Sequence, residues 1–383
     1  MTSLNELKSH MLDDRRAAVQ RLMAEVGVDQ LVCAGNGHHM IDLSNAVAHL
    51  TGYRSIGPAI LVLDAGGGMR LAISPADEAD CIAGLGLSSA IAVDDIAAAL
   101  PALEIAGGAT RVASVGLGTL PRRLAAKLAT VLGPDHRALD RPFYAATARK
   151  TDHEIACARE ATRIAEAGYR YMLELVRPGM PECDLAVGVN LYMRAAGAND
   201  SFLMLNCAPR ADAVMPSSER PIARGDLLLC ELSPSVDGQF VQICRTVGIG
   251  TPAAETEAKY RLLIAAMHDG IGKVRPGVPM GAVCGAIDDN LSAAGYAKFS
   301  RPPFIRRRGH GLGCGSVAPG DVAVDNACVL EPGMLFMVHP NQFLPETGYM
   351  MCGEPVLVTE TGAEVLTATQ AELAVVDAAG GRP

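Results

Sequence analysis

Two histidines and two glutamates in the second half of the chain have side chains suited to proton transfer, nucleophilic attack or metal binding. His310 lies in the glycine-rich run 309–313, and His339 directly precedes a proline. Glu231 interrupts an apolar run, and Glu354 stands just before another. Imidazole titrates near neutrality, and a carboxylate can act as base, nucleophile or ligand. These four residues are therefore the predicted catalytic set.

The apolar surroundings of the two glutamates make a shared cavity more plausible than four unrelated surface groups. A charge in an apolar strand costs several kcal/mol unless it is paired, coordinated or open to water. Taken singly, Glu231 and Glu354 are read as strand-edge carboxylates facing water, and for each histidine a structural role is the alternative. Taken together, they favour one polar pocket, which Gln242 and Cys244 are predicted to line as substrate-binding groups. For Cys244 a buried, inert thiol is the alternative.

The elements that must position these residues read as short strands joined by tight turns. Apolar runs at 227–232 and 239–244 flank Asp237-Gly238, a hairpin turn signal, and runs at 335–338 and 355–358 follow. We expect antiparallel pairs.

Helical segments surround these strands in two similar units. A helix running toward Val176 stops at 177–179 (Arg-Pro-Gly), and a second helix, 257–274, stops at 275–277 with the same three residues. Each stop leads into another helix, at 182–195 and 280–294. The repeat predicts an internal duplication.

The first part of the chain has a different pattern. A helix at 4–26 precedes strand-like runs at 31–34, 59–63 and 70–73, and alternating strands and helices continue to about residue 133, as in an α/β domain. We predict two domains, 1–148 and 149–383.

Composition narrows the class of protein. Lys and Arg total 33 against 42 for Asp and Glu, a net charge of -9, which argues against nucleic acid as a partner. Arg306-Arg307-Arg308 is a local exception that could bind an anionic group, or could be a solvated turn; Arg308 is predicted to contact substrate. The N-terminus has no apolar signal segment and no window could span a bilayer, so a cytoplasmic protein is expected. The 11 cysteines include no CxxC pair, and most of them are expected to be buried thiols.

The order and spacing of these motifs resemble the pita-bread hydrolases, the family of methionine aminopeptidase, aminopeptidase P and creatinase. The resemblance rests on the segments 45–53, 150–161 and 225–359. It implies an α+β fold: a pita-bread C-terminal domain with internal duplication, preceded by a smaller α/β creatinase-type domain. It also implies a homodimer in which His39 and Arg54 of the first domain reach the site.

In the family's metallopeptidases five residues bind two metal ions, and the matching positions here are Glu231, Gln242, His310, His339 and Glu354. Three of the five differ from the family pattern. Neutral Gln242 and neutral His339 remove two negative charges, and a two-metal site needs anionic oxygens to offset its charge. The expectation is no cofactor. The alternative is one divalent transition metal held by Glu231, His310, His339 and Glu354.

The departures favour a hydrolase of small nitrogenous metabolites over a peptidase. The segment 244–255 resembles the ectoine hydrolase type, whereas Val214 stands where creatinase carries its base. We expect cleavage of an amide, amidine or lactam-like C–N bond in a small-molecule substrate. The alternatives are a mononuclear-metal Xaa-Pro aminopeptidase-like enzyme or lyase, and a non-catalytic binding module. The sequence does not name the substrate.

Overall fold

The computed structural model describes residues 4–38, 41, 44–106, 110–313 and 318–376. His39, one of the predicted substrate-binding residues, lies outside these ranges. The chain divides into two compact units, Met1–His153 and Glu154–Pro383. Within the described ranges, no helix combines the length and the apolar character that crossing a membrane requires.

Helices and strands alternate in the first unit, whereas in the second they form two helical pairs and several sheets. The helices are α1 (Leu4–Val26), α2 (Ala46–Thr51), α3 (Ala79–Ile82), α4 (Arg122–Leu132), α5 (Asp140–Ala146), α6 (Asp152–Leu175), α7 (Glu182–Ala195), α8 (Ala254–Ile271) and α9 (Met280–Leu291). The strands of the first unit are β1 (Gln30–Gly35), β2 (Ala59–Asp64), β3 (Met69–Ile73), β4 (Ser89–Ala92), β5 (Val112–Val115) and β6 (Arg137–Ala138). Those of the second are β7 (Asp200–Ala208), β8 (Leu227–Val236), β9 (Gln239–Phe240), β10 (Ile243–Ile249), β11 (Gly309–Gly311), β12 (Leu335–Val338), β13 (Gln342–Leu344), β14 (Gly348–Met350), β15 (Glu354–Val358), β16 (Ala363–Val365) and β17 (Ala374–Val376).

The first unit is built on one mixed sheet of order β4-β3-β2-β1-β5-β6. Alternate residues of β1 enter different cores, since Leu31 and Cys33 belong to one apolar cluster and Val32 and Ala34 to another. The near-continuous apolar run of β1 thus reflects a strand covered on both faces.

The second unit contains the order β17-β10-β8-β7, with β9 paired to β8, and the order β11-β12-β15-β16. Its two Arg-Pro-Gly turns make matching contacts. The amide of Gly179 donates to the carbonyl of Ile222 at 2.8 Å, and that of Gly277 donates to the carbonyl of Leu330 at 2.9 Å. Two halves of the unit therefore repeat one local structure.

The predicted strand 239–244 is interrupted in the structure. The turn at Asp237-Gly238 does join antiparallel β8 and β9, but the ladder breaks at Val241 and Gln242 before β10 begins. The predicted helix 257–274 begins earlier, at Ala254, and ends at Ile271. The helix predicted over 280–294 ends at Leu291, where a wider turn follows.

The two larger sheets of the second unit meet at Cys244 and Gly353. Each residue donates its amide to the other's carbonyl, at 3.3 and 3.1 Å. Close by, the Thr246 hydroxyl donates to the carbonyl of Met351 at 3.0 Å. These contacts place the start of β15 beside the start of β10.

Candidate active site

The five residues singled out at the family's metal positions come from both sheets. Glu231 lies in β8 and Gln242 between β9 and β10, whereas His310 lies in β11, His339 just after β12 and Glu354 at the start of β15. Because Cys244 pairs across the sheets with Gly353, the junction brings these segments together. Gln242, His310, His339 and Glu354 are all buried, and Glu231 is partly exposed.

Two glycines allow the backbone to pack tightly around the histidines. Gly309 has a φ of 148°, and a Cβ there would lie 1.8 Å from the carbonyl oxygen of Met337. A Cβ on Gly353 would lie 2.6 Å from the Cβ of His339. No larger residue fits either position without moving β12, because real Cβ atoms do not approach that closely.

The two ring nitrogens of His310 each face an oxygen that can only accept hydrogen bonds. The Nδ1 atom lies 3.0 Å from the carbonyl oxygen of Gly311, and Nε2 lies 3.2 Å from Oε1 of Gln242. In the tautomer whose proton is on Nδ1, the Gly311 carbonyl accepts a hydrogen bond and Nε2 presents a lone pair to Gln242. Two lone pairs face each other stably only when a proton or a cation lies between them.

Gln242 contacts both Glu231 and His310. The amide nitrogen of Gln242 lies 3.4 Å from a carboxylate oxygen of Glu231 and 3.2 Å from the hydroxyl of Ser233. The Sγ atom of Cys244 lies 3.9 Å from Glu231. Burial, and then the Glu231 charge, raises the pKa of Cys244 well above its usual value, so this thiol stays protonated and is a poor nucleophile.

His339 is held as a neutral imidazole. Its ring centroid lies 5.5 Å from that of His310. Burial lowers its pKa well below the usual value, and the neighbouring His310 lowers it further. Within the described residues its buried Nδ1 has no hydrogen-bond partner. A neutral imidazole with an unsatisfied nitrogen is ready to accept a donor or a metal ion.

Both oxygens of Glu354 are engaged by protein groups. The guanidinium of Arg245 donates to Oε1 at 2.8 Å, and the hydroxyl of Thr367 donates to Oε2 at 2.7 Å. Arg245 also donates to the carbonyl of Gly353 at 2.8 Å. Both members of the ion pair are almost fully buried, at 2% and 4% side-chain exposure. Burial nevertheless raises the pKa of Glu354, with Arg245 opposing the shift.

Arg308 has a different environment from the one predicted. It is buried, and its guanidinium donates to Asp288 at 2.8 Å, to the carbonyl of Asn341 at 3.1 Å and to Gln342 at 3.0 Å. These acceptors occupy the guanidinium N–H donors of Arg308 that were predicted to contact substrate. In the structure Arg308 fixes the segment that follows His339. Arg54 is an exposed residue of the first unit.

Sequence reasoning missed Arg245, the buried partner of Glu354. A buried arginine in an apolar strand requires an anionic partner, and that signal was present at Arg245, in the strand that also carries Cys244.

Comparisons with known proteins identify relatives of the second unit. The profile of metallopeptidase family M24 matches residues 156–360. An uncharacterized peptidase, YqhT of Bacillus subtilis, is 29% identical over 229 residues, which cover 59% of this chain and 64% of that protein. The Xaa-Pro dipeptidase of Pyrococcus furiosus is 26% identical over 227 residues, covering 58% and 64%. The matches thus span less than two thirds of these curated relatives.

A solved structure shares the fold over nearly the whole chain. The dipeptidase PepE of Mycobacterium ulcerans superposes with a TM-score of 0.81 at 24% identity, covering 96% of this chain and 98% of that one. This likeness confirms the predicted fold class, a pita-bread domain preceded by a smaller N-terminal domain.

The family match overturns the expectation of no cofactor. That expectation rested on the lost negative charges, but the matching profile is that of a metallopeptidase family, so the prediction is wrong and a metal ion is expected. The donor atoms present fit one ion. Two ligands of a tetrahedral ion with bonds of about 2.1 Å lie about 3.4 Å apart, close to the 3.2 Å between His310 Nε2 and Gln242 Oε1. The unsatisfied nitrogen of neutral His339 and the carboxylate of Glu231 complete a nitrogen and oxygen set.

The fit does not extend to a second ion. Glu354 is committed to Arg245 and Thr367, and two of the remaining donors are uncharged. The ligand set for one ion is also not fully assembled. Among the described residues around His310, no three ligand atoms from imidazole, thiol or carboxylate groups lie within 4.8 Å of one another. Binding therefore requires side-chain movement, for which the partly exposed Glu231 is best placed.

Proposed function

Because the chain belongs to metallopeptidase family M24, we propose that it is a hydrolase that uses one divalent metal ion to cleave an amide-type C–N bond in a small substrate. The observation that carries the proposal is the convergence of His310 Nε2 and Gln242 Oε1 at 3.2 Å, beside the neutral His339. Glu231, Gln242, His310 and His339 would hold the ion.

When bound, such an ion supplies Lewis acidity and lowers the pKa of water. The protein's residues prepare the site for that chemistry. The carbonyl of Gly311 fixes His310 in the tautomer that directs Nε2 inward. His339 need not lose a proton in order to bind, because it is already neutral. Glu231, the partly exposed carboxylate, is the group placed to take a proton from attacking water.

Glu354 is assigned a positioning role in this proposal. A carboxylate whose two oxygens accept from Arg245 and Thr367 is poorly placed to attack a substrate carbon. Its ion pair holds the start of β15 against β10.

The substrate is proposed to be a small nitrogenous metabolite. Three of the five family metal positions are altered, and Glu354 is withdrawn into an ion pair, so the arrangement that serves the family's two-metal peptidases is absent from the described residues. A second candidate, an Xaa-Pro dipeptide, is favoured by the name of the Pyrococcus furiosus relative.

Metal analysis combined with a substrate panel tests the proposal. The protein, purified without added chelator, should carry close to one transition metal ion per chain. Turnover of a lactam, guanidino compound, cyclic amidine or X-Pro dipeptide should stop on chelation and return when metal is restored. Two ions per chain, or full turnover by metal-free protein, would overturn it. Absence of turnover from the whole panel, with retained ligand binding, would favour a non-catalytic binding module.

A further inference from the structure

His153 and Cys157 lie one helical turn apart near the start of α6. This helix is continuous from Asp152 to Leu175, so a spacing of four residues puts both side chains on the same face. Both residues are buried, at 2% and 0% exposure. Neither contributes to the candidate active site. The helix therefore presents one imidazole and one thiol side by side.

Asp237 brings a carboxylate to this pair from the turn between β8 and β9. One ligand atom each from His153, Cys157 and Asp237 lies within 4.8 Å of the other two. The turn is held in place, because the amide of Asp237 donates to the side-chain oxygen of Asn199 at 2.6 Å. Asp237 has a positive φ of 47°, a conformation that Asp and Asn tolerate. Because Asp237 is exposed, its side chain can rotate toward a bound ion.

The three kinds of donor atom suit a zinc-like ion. Zn²⁺ accepts nitrogen, sulfur and oxygen ligands at about 2.0–2.3 Å, whereas Mg²⁺ and Ca²⁺ prefer oxygen alone. Ligands of a tetrahedral ion with such bonds lie about 3.4–3.7 Å apart, so the three atoms need to move together only slightly. A thiolate and a carboxylate carry two negative charges, which balance the charge of a divalent ion at a largely buried position.

We propose that His153, Cys157 and Asp237 form a second metal site that binds one Zn²⁺ or a similar transition metal ion. Three protein ligands leave the fourth position to water, and the thiol releases its proton to solvent on binding. Such a site is weaker than a closed four-ligand site, so it fills when metal is added, beyond the single ion expected after purification. The bound ion ties the β8–β9 turn to α6. The inference does not depend on the proposed function.

Cobalt binding tests the site directly, because a Co²⁺–thiolate bond gives a charge-transfer absorption band in the near ultraviolet. The ligands proposed for the active site include no thiol. Co²⁺ is added stepwise to the intact chain as purified, and we expect a thiolate band that saturates at one added ion per chain. Cys157→Ser should abolish the band. Asp237→Asn, which suits the same turn conformation, should weaken Co²⁺ binding by about tenfold or more. Cys81→Ser, at an exposed thiol of α3, is the control and should change neither.

Absence of the band in the wild type, its persistence in Cys157→Ser, or unchanged Co²⁺ affinity in Asp237→Asn would overturn the inference. Thermal unfolding shows whether Cys157→Ser folds, and Asp237→Asn decides alone where it does not. His310→Ala separates the two proposals, since it should keep the thiolate band. A thiolate band without turnover of any substrate would reject the proposed function only, whereas metal-dependent turnover without the band would reject the second site only.

Discussion

The buried ion pair between Arg245 and Glu354 gives a quantitative prediction for Glu354→Gln. The change keeps the shape of the side chain and removes its charge. Arg245, at 2% side-chain exposure, would then be a buried cation without its anion, and a guanidinium cannot neutralise itself by losing a proton. Removing one partner of a buried pair costs about 3–5 kcal/mol. We expect that loss in the free energy of unfolding.

Arg245→Met should show a pH dependence of known sign. The pKa of Glu354 in the folded protein is raised above its ordinary value of 4.5, so the folded state holds this proton more tightly than the unfolded state. Stability then falls as pH rises from that ordinary value and levels off above the folded pKa. Arg245 opposes the increase in the Glu354 pKa. Its removal raises that pKa further, so the pH range over which stability falls extends upward. The variant should therefore lose more stability at pH 8 than at pH 5.

Equilibrium urea unfolding, followed by circular dichroism at both pH values, measures these effects. The double variant Arg245→Met/Glu354→Leu should be less destabilised than Glu354→Gln, since no buried charge remains. Arg159→Met breaks a pair with Glu364 that is 48% and 38% exposed, and it should cost about 0–1 kcal/mol. A loss below about 1 kcal/mol in Glu354→Gln, or a double variant that is destabilised as much as Glu354→Gln, would refute the reasoning.

Further substitutions test the site itself. His310→Ala should abolish metal retention and turnover while the fold persists; unchanged metal content would exclude His310 as a ligand, and His268→Ala, an exposed histidine of α8, is the control. Gln242→Glu should tighten Zn²⁺ binding by about tenfold or more in a chelator competition, because it adds a negative ligand, and should destabilise the metal-free protein because Glu231 lies 3.4 Å away; weaker binding would contradict the assignment. Arg308→Met should lower the unfolding free energy by about 3 kcal/mol by stranding Asp288 and the carbonyl of Asn341, and a loss within about 0.5 kcal/mol would show that the segment after His339 is held by other contacts.

The sequence anticipated the elements whose signals are local. The Asp237-Gly238 turn and the apolar runs of β8, β12 and β15 were readable because turn chemistry and hydrophobic pattern are properties of neighbouring residues. The break at Gln242 was not readable. Its side chain meets His310, 68 residues away, and a contact between such distant segments leaves no signal in the local sequence.

The same distinction applies to the site. The motif frame pointed to Glu231, His310 and His339, which the fold brings into neighbouring segments, but it could not show that Glu354 faces Arg245 and Thr367. It also assigned Arg308 to substrate, because a run of three arginines looks like a surface feature until Asp288 and Asn341 are seen beside it. Partner identity in a buried network depends on the fold, and residue type alone does not determine it.

The junction of Cys244 with Gly353 has a consequence for the order of folding. Arg245 bonds the carbonyl of Gly353 across 108 residues of chain, so the sheets can join only after most of the second unit has been synthesised, and such long-range closure is slow. The proposed metal site draws its residues from both sheets, so it can form only after that closure.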